Sequence, residues 1–470
     1  MVTAVVLLLL VTCAGLYAAQ GGRPGGSSGP VAESAAPPTG APSADRSPRP
    51  RAPERERIPT SDEINAARKP GEATAWIADG TEDLPRRSIE LQDLWVVGDT
   101  VVQAVHKRVT ARRLADGAEV WSVPLPAPVC ETPVNPTPDG KVVLVYKSSQ
   151  AVHGNRCNQM QMIDLRTGKL GWHKKLTESG SQDDTIIVNS AISGHVLAVV
   201  QSMKAAAYRV ADGAKLYDIP MEHPGECYPD DVAGGTRLLV SYDCAISIDR
   251  SKTFSQLAEF VPRTGKVLWR YRTGQGWKIG KALSVDPVVL TTFHAEERTD
   301  NWRVVALGPG GKLRTTLDPR PKGFTYCAEA GESNENMQNC RGTLVEGRTV
   351  HLGGTDRVGA YDLGTGEFLW GVKSDGATTL HPLRADGSRL LVYESASVSR
   401  PGRIVRFGPG GAESEQEVLR HPRAARAAET GMYAGHLAYV NNRLVITPAD
   451  VYGDDATPEA HMLSFAPTPS

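Results

Sequence analysis

From about residue 71 onward the chain is written in short apolar runs broken by Gly, Asp, Asn and Pro. Residues 94–97, 100–105, 142–146, 195–200, 238–242, 390–393 and 444–446 are such runs, rich in Val, Leu and Ile. Runs of this length and composition, bounded by turn formers, predict β-strands. No stretch of the region keeps a 3.6-residue apolar period between helix caps, so the region reads as nearly all β.

The strands fall into a repeat marked by tight glycine turns at Gly71, Gly117, Gly168, Gly213, Gly265, Gly311, Gly366 and Gly411, spaced 46, 51, 45, 52, 46, 55 and 45 residues apart. Glycine suits these turns because a two-residue hairpin turn demands a positive φ that a Cβ penalises. An aromatic residue follows most markers, as Trp76, Trp121, Trp172, Tyr217, Trp269 and Trp370, while Arg314 and Ser414 or Glu415 stand in the two remaining modules. Each interval accommodates four strands, and four-stranded modules at this period predict a β-propeller of eight blades. Residues 435–440, 443–447 and 461–465 supply three strands without a fourth, and the strand ending at Trp76 is a fourth without its first three. Pairing the N-terminal strand with the C-terminal ones therefore completes the eighth blade.

Long and short intervals alternate, and each of the three long internal intervals holds two cysteines: Cys130 and Cys157, Cys227 and Cys244, Cys327 and Cys340. The first of each pair follows its marker glycine by 13, 14 and 16 residues. A zinc site would need clustered ligands, and no Cys-x-x-Cys occurs. Three local disulfides, one per long module, are the preferred reading, with six unrelated thiols as the alternative. Disulfides persist in an oxidising compartment.

The 470 residues carry 52 Lys plus Arg against 53 Asp plus Glu. Phosphate backbones call for a concentrated basic face, which this balance does not suggest, so nucleic acid is not an expected partner. Residues 1–19 are free of charge and hold an apolar run at 5–11. A cleaved signal, a lipoprotein signal at Cys13 and a membrane anchor all compete for this segment, and its length favours a single-pass anchor at the cell membrane. The first basic residue is Arg23, after the run, so the natural start is expected upstream of Met1. Residues 20–70 hold 10 Pro and 6 Gly in 51 positions and read as a disordered tether. The expected order is anchor (1–19), tether (20–70) and a monomeric propeller (71–470) on the extracytoplasmic side.

The segments Asp164-Leu-Arg-Thr-Gly-Lys-Leu-Gly-Trp172, 261–269 with Thr264-Gly265 and Trp269, and Asp362-Leu-Gly-Thr-Gly-Glu-Phe-Leu-Trp370 resemble the tryptophan docking motif of the pyrroloquinoline-quinone-like (PQQ-like) propellers. The resemblance covers 71–470 and implies a blade-packing role for Trp172, Trp269 and Trp370, and less fully for Trp76 and Trp121. Quinoprotein dehydrogenases of this fold carry a calcium site, a catalytic aspartate and a disulfide between adjacent cysteines. This chain has no adjacent cysteines and no residues that align with the calcium ligands, so the resemblance points to the non-catalytic branch, similar to the outer-membrane assembly lipoprotein and anchored actinobacterial propellers. It implies a binding or scaffolding module of the cell envelope with no cofactor; a quinone-dependent oxidoreductase and a sensor of a small ligand at the axis are the alternatives.

No catalytic or metal-binding residue stands out. Asp183-Asp184, Asp230-Asp231 and Asp454-Asp455 lie near Gly or Pro and read as solvated turns, with calcium as the rarer use. The polar stretch 329–339, between Cys327 and Cys340, reads as a closed surface loop. Eleven histidines are scattered without His-x-His or Glu-x-x-His spacing. Neither a Gly-x-Ser-x-Gly elbow nor a phosphate loop is present.

Overall fold

The structure, a computed structural model, describes residues 57–80, 84–149, 156–176, 187–202, 204–222, 227–245, 249–329, 336–338, 340–374, 378–453 and 459–468. Four-stranded antiparallel units follow one another along the chain, eight in all among the described residues. Blade 1 consists of Ser88–Val97, Thr100–Val105, Arg108–Arg113 and Glu119–Pro124. Blades 2 to 7 begin with inner strands Val129–Glu131, Val188–Ser193, Tyr228–Ala233, Trp277–Val285, Thr343–Glu346 and Leu380–Asp386. Neighbouring inner strands touch between blades 2 and 3, 3 and 4, 5 and 6, 6 and 7, and 7 and 8, and the inner strand of blade 8 touches that of blade 1. The architecture is an all-β, eight-bladed β-propeller.

Blade 8 joins the two ends of the folded chain. Leu437–Val440, Arg443–Ile446 and Ala460–Ala466 come from the C-terminal part, and Thr74–Asp79 is the outermost strand, with Thr74 opposite Ala466 and Ile77 opposite Leu463. An additional short strand, Asp450–Tyr452, extends blade 1 by pairing with Ser88–Glu90.

Ahead of the closing strand, Ser61–Ala66 forms a helix within the stretch expected to be tether throughout. Thr60 caps it, accepting the Glu63 N–H, while the Glu63 carboxylate accepts the Thr60 N–H at 2.9 Å. This reciprocal capping box satisfies two otherwise orphaned donors. Ile64 is fully buried in the same apolar cluster as Tyr393, Met432 and Phe465, so burial adds what a six-residue helix lacks on its own.

The expectation of a single-pass location at the cell membrane is corrected here. Among the described residues no helix is long and apolar enough to cross a membrane. The 1–19 segment on which the expectation rested lies outside the described residues, as does the stretch 20–56 that was expected to be a tether.

Blade-to-blade packing explains the marker glycines. A Cβ added at Gly117 would sit 2.6 Å from the Trp76 ring, one at Gly168 2.7 Å from Trp121, one at Gly213 2.7 Å from Trp172 and one at Gly265 2.7 Å from Tyr217. Each aromatic ring thus lies on the turn of the next blade, and Trp269 covers Gly311 in the same way. The polar end of the ring is also used: Trp76 Nε1 donates to Leu114 O at 2.8 Å, Trp172 Nε1 to Val210 O at 2.7 Å and the Tyr217 hydroxyl to Pro262 O at 2.7 Å. In blade 5 the equivalent position is Thr315 rather than Arg314, with the Thr315 hydroxyl donating to Gly364 O at 3.1 Å beside Gly366. Trp370 departs from the pattern and packs into the cluster formed with Val392, Val405 and Phe407.

Disulfides join Cys130 to Cys157, Cys227 to Cys244 and Cys327 to Cys340, the three local pairs expected from the repeat.

Candidate functional site

A polar cluster at the axial end of the propeller draws on all eight blades. Inner strands carry Asp93 (blade 1), Glu131 (blade 2), Ser190 (blade 3), Asp231 (blade 4), Lys281 (blade 5) and His381 (blade 7). Asn336 to Arg341 precede the inner strand of blade 6, and His436 precedes that of blade 8. A strand that points alternate side chains to opposite faces can send one polar group toward the axis while its neighbours fill the apolar spaces between blades.

The groups bind one another across the ring. Thr132 Oγ1 donates to Asp93 Oδ2 at 3.0 Å, linking blades 1 and 2. Glu131 Oε1 accepts from Ser190 N at 2.8 Å, from Ser190 Oγ at 2.9 Å and from Asn336 Nδ2 at 3.3 Å. Asn336 Nδ2 also lies 3.4 Å from Ser190 O. Gln338 pairs with Gly234 through both ends of its amide: Nε2 donates to Gly234 O at 3.0 Å and Oε1 accepts from Gly234 N at 2.7 Å. Lys281 Nζ donates to Asn336 O, and Ala282 N donates to Met337 O, each at 2.7 Å. Residues 336–338 therefore reach from the approach to blade 6 onto blades 2, 3, 4 and 5. Asn336 is 4% exposed and Met337 is fully buried.

Burial sets the charge states. It pushes the Asp93 carboxyl up to about 7, against the opposing pull of Thr132 and Arg341. Glu131 is driven well above the carboxylate range, by burial first and by the nearby Asp93 second. Two carboxyls removed from water and near each other cannot both ionise cheaply. Arg341 faces Glu90 and Asp93, and burial lowers its own proton affinity. His381 and His436 are pushed down to about 4 by burial, with Arg341 adding to the effect, so both rings are neutral at pH 7. The axial cluster thus combines a Glu131 carboxyl pushed toward its neutral form, an Asp93 carboxyl that titrates near neutrality, two neutral imidazoles, the Arg341 guanidinium and the Lys281 side chain. Such a set can hold amides, hydroxyls and backbone groups by hydrogen bonding.

A second polar group is sealed between blades 7 and 8. His421 Nδ1 lies 2.7 Å from Glu429 Oε1, and Glu429 also accepts from the Tyr393 hydroxyl at 2.9 Å and from Gly402 N at 3.1 Å. His421 and Glu429 are both 0% exposed, and the His421 ring stacks on Phe465 with centroids 3.7 Å apart. Its role is structural: it fastens the helix Arg426–Thr430 over the apolar cluster that also receives the N-terminal helix.

Several sequence expectations change at these sites. Asp230-Asp231 is not a turn: both residues lie on the inner strand of blade 4, where Asp230 is exposed as expected and Asp231 is buried at 8% exposure. The stretch 329–339 is not a surface loop where it is described, since Asn336 and Met337 are interior. Asp183-Asp184 and Asp454-Asp455 lie outside the described residues. Among the described residues no group of three or more His, Cys, Asp or Glu is placed to hold a metal ion. Sequence reasoning missed Asp93, Glu131 and Arg341 entirely. For Asp93 and Glu131 the one visible signal is an acidic residue on an otherwise apolar strand at the start of a module; Arg341, ahead of its strand, has none.

Residues 61–227 match the family model described as outer membrane protein assembly factor BamB. No curated protein matches the chain in sequence. Similar solved structures include BamB from Moraxella catarrhalis, 14% identical, covering 84% of this chain and 99% of that one with a TM-score of 0.45. Another is the dihydro-heme d1 dehydrogenase NirN in complex with DHE, 14% identical, with coverages of 89% and 82% and a TM-score of 0.46. A third is the quinohemoprotein alcohol dehydrogenase ADHIIG from Pseudomonas putida HK5, 12% identical, with coverages of 88% and 84% and a TM-score of 0.47.

Proposed function

We propose that this chain is an extracytoplasmic protein-binding scaffold of the cell envelope. The observation that carries the reading is what fills the axis: peptide, in the form of residues 336–338, held by side chains and backbone from four blades. A site that satisfies the polar groups of a peptide so fully is suited to recognising protein. The family match to an assembly factor over 61–227 supports the same class of role, and the three disulfides support an oxidising compartment.

Photo-crosslinking from positions around the axial end, in the native envelope fraction, tests the proposal. A discrete adduct with one envelope protein, lost when excess unlabelled propeller is added, is the expected result. Stoichiometric uptake of a quinone with calcium, accompanied by dye-linked oxidation of an alcohol or sugar, would overturn it.

A further inference from the structure

We infer that the axial end is a binding site for a peptide turn bearing two carboxamides around an apolar side chain, and that the chain fills this site with its own Asn336-Met337-Gln338, whose turn is closed by Gln338 N donating to Asn336 Oδ1 at 2.9 Å. The inference rests on the protein-binding reading above and gives it a ligand chemistry.

The recognition is sequence-like in its detail. The first carboxamide, on Asn336, donates to Glu131 Oε1 at 3.3 Å beside Ser190 O. The second, on Gln338, makes a two-point pairing with the backbone of Gly234 at 2.7 and 3.0 Å. Between them Met337 is fully buried in the apolar core cluster that includes Leu239, Leu257 and Leu290. Main-chain recognition completes the set, since Asn336 O and Met337 O accept from Lys281 Nζ and Ala282 N.

The selectivity follows from charge. Glu131 is buried beside Asp93, so a carboxylate in the first position would bring a further acid into a low-dielectric site and be rejected. Gly234 leaves no alternative on the other side: a Cβ there would stand 2.3 Å from Ile192 O, so the backbone must meet the ligand directly. Two residues past Gln338, Cys340 is bonded to Cys327, which keeps the internal segment close to its site. A tethered competitor of this kind acts at a local concentration of about millimolar, so an external peptide meets an occupied site in the native protein.

The test uses the whole chain and a fluorescein-labelled peptide, acetyl-Gly-Asn-Met-Gln-Gly-amide, with the Asp-Met-Glu peptide as control. Fluorescence anisotropy should show the Asn336→Ala/Gln338→Ala double variant binding the amide peptide at least ten-fold more tightly than the native chain does. The same variant should bind it at least ten-fold more tightly than the acidic control. A variant that keeps its β-sheet circular dichroism and cooperative melt, yet does not distinguish the two peptides, overturns the inference. Hydrogen exchange on the native chain covers the case of a variant that does not fold. The Gly234 and Ala282 amides should exchange at least ten-fold faster than the strand amides of Val240 and Leu290. If they exchange only with global unfolding, the segment is permanent core and the inference fails. Crosslinking to an envelope protein away from the axis would leave the scaffold reading standing while this site fell.

Discussion

Replacing Trp76 with alanine probes the closing blade where it meets blade 1. Trp76 is 3% exposed and donates to Leu114 O at 2.8 Å. Truncating a buried Trp costs about 3–5 kcal/mol, and the stranded carbonyl adds about 1 kcal/mol. Gly117→Ala attacks the same contact from the other side. Its φ of +75° costs an L-residue about 1–2 kcal/mol. Its new methyl would stand 2.6 Å from the Trp76 ring, an overpacking cost of about 1–3 kcal/mol. In the Trp76→Ala background the ring is gone, so only the backbone cost of Gly117→Ala remains. The double variant should therefore be more stable than the sum of the singles requires, by about 1–3 kcal/mol. Urea denaturation followed by far-ultraviolet circular dichroism measures the four corners of the cycle. Additivity within about 0.5 kcal/mol would refute the stacking argument.

The axial carboxyl gives a pH prediction. Asp93 titrates near 3.8 when unperturbed and about 7 in the fold, so the native state binds the extra proton and its contribution to stability declines as pH rises through that window. Asp93→Asn should flatten the fall in melting temperature between about pH 4 and 7; an unchanged profile would remove Asp93 as its source. Glu429→Ala leaves His421, Tyr393 and Gly402 N without their buried partner and should cost about 3–5 kcal/mol by chemical denaturation, with Glu429→Gln costing less. Among the disulfides, Cys130–Cys157 closes a separation of 27 residues and Cys327–Cys340 one of 13. Loop-closure entropy grows by about 0.6 kcal/mol per doubling, so alanine pairs at the first bridge should destabilise by about that much more than at the second. Equal losses, or the reverse order, in parallel denaturation curves would count against the entropic account.

What could be read in the chain beforehand was whatever repeats locally. A glycine that must take a positive φ under an aromatic ring is required afresh in each blade, so Gly117, Gly168, Gly213 and Gly265 leave a periodic trace. The cysteine pairs recur for the same reason. The axial site leaves no such trace: Glu131 meets Asn336 across 205 positions, and each blade contributes a different residue. Nothing in the spacing of Asp93, Glu131 and Arg341 distinguishes them from surface charges until the ring brings them together. The helix Ser61–Ala66 was concealed differently, because a composition averaged over 20–70 outweighed the Thr60 and Glu63 capping pair. In blade 5 the docking position falls on Thr315 and not on Arg314, because the loss of the aromatic ring leaves no marker of the register.

The pairing of Thr74 with Ala466 spans 392 positions. Synthesis delivers Thr74–Asp79 long before its partner strand Ala460–Ala466, so while the intervening blades are made that strand has an open hydrogen-bonding edge and no correct mate. A chain made at about 5–20 residues per second keeps this edge waiting for tens of seconds. During that wait an unpaired edge can capture a strand from another copy. The seam that completes the ring is consequently the point at which a helper that shields nascent strands would matter most.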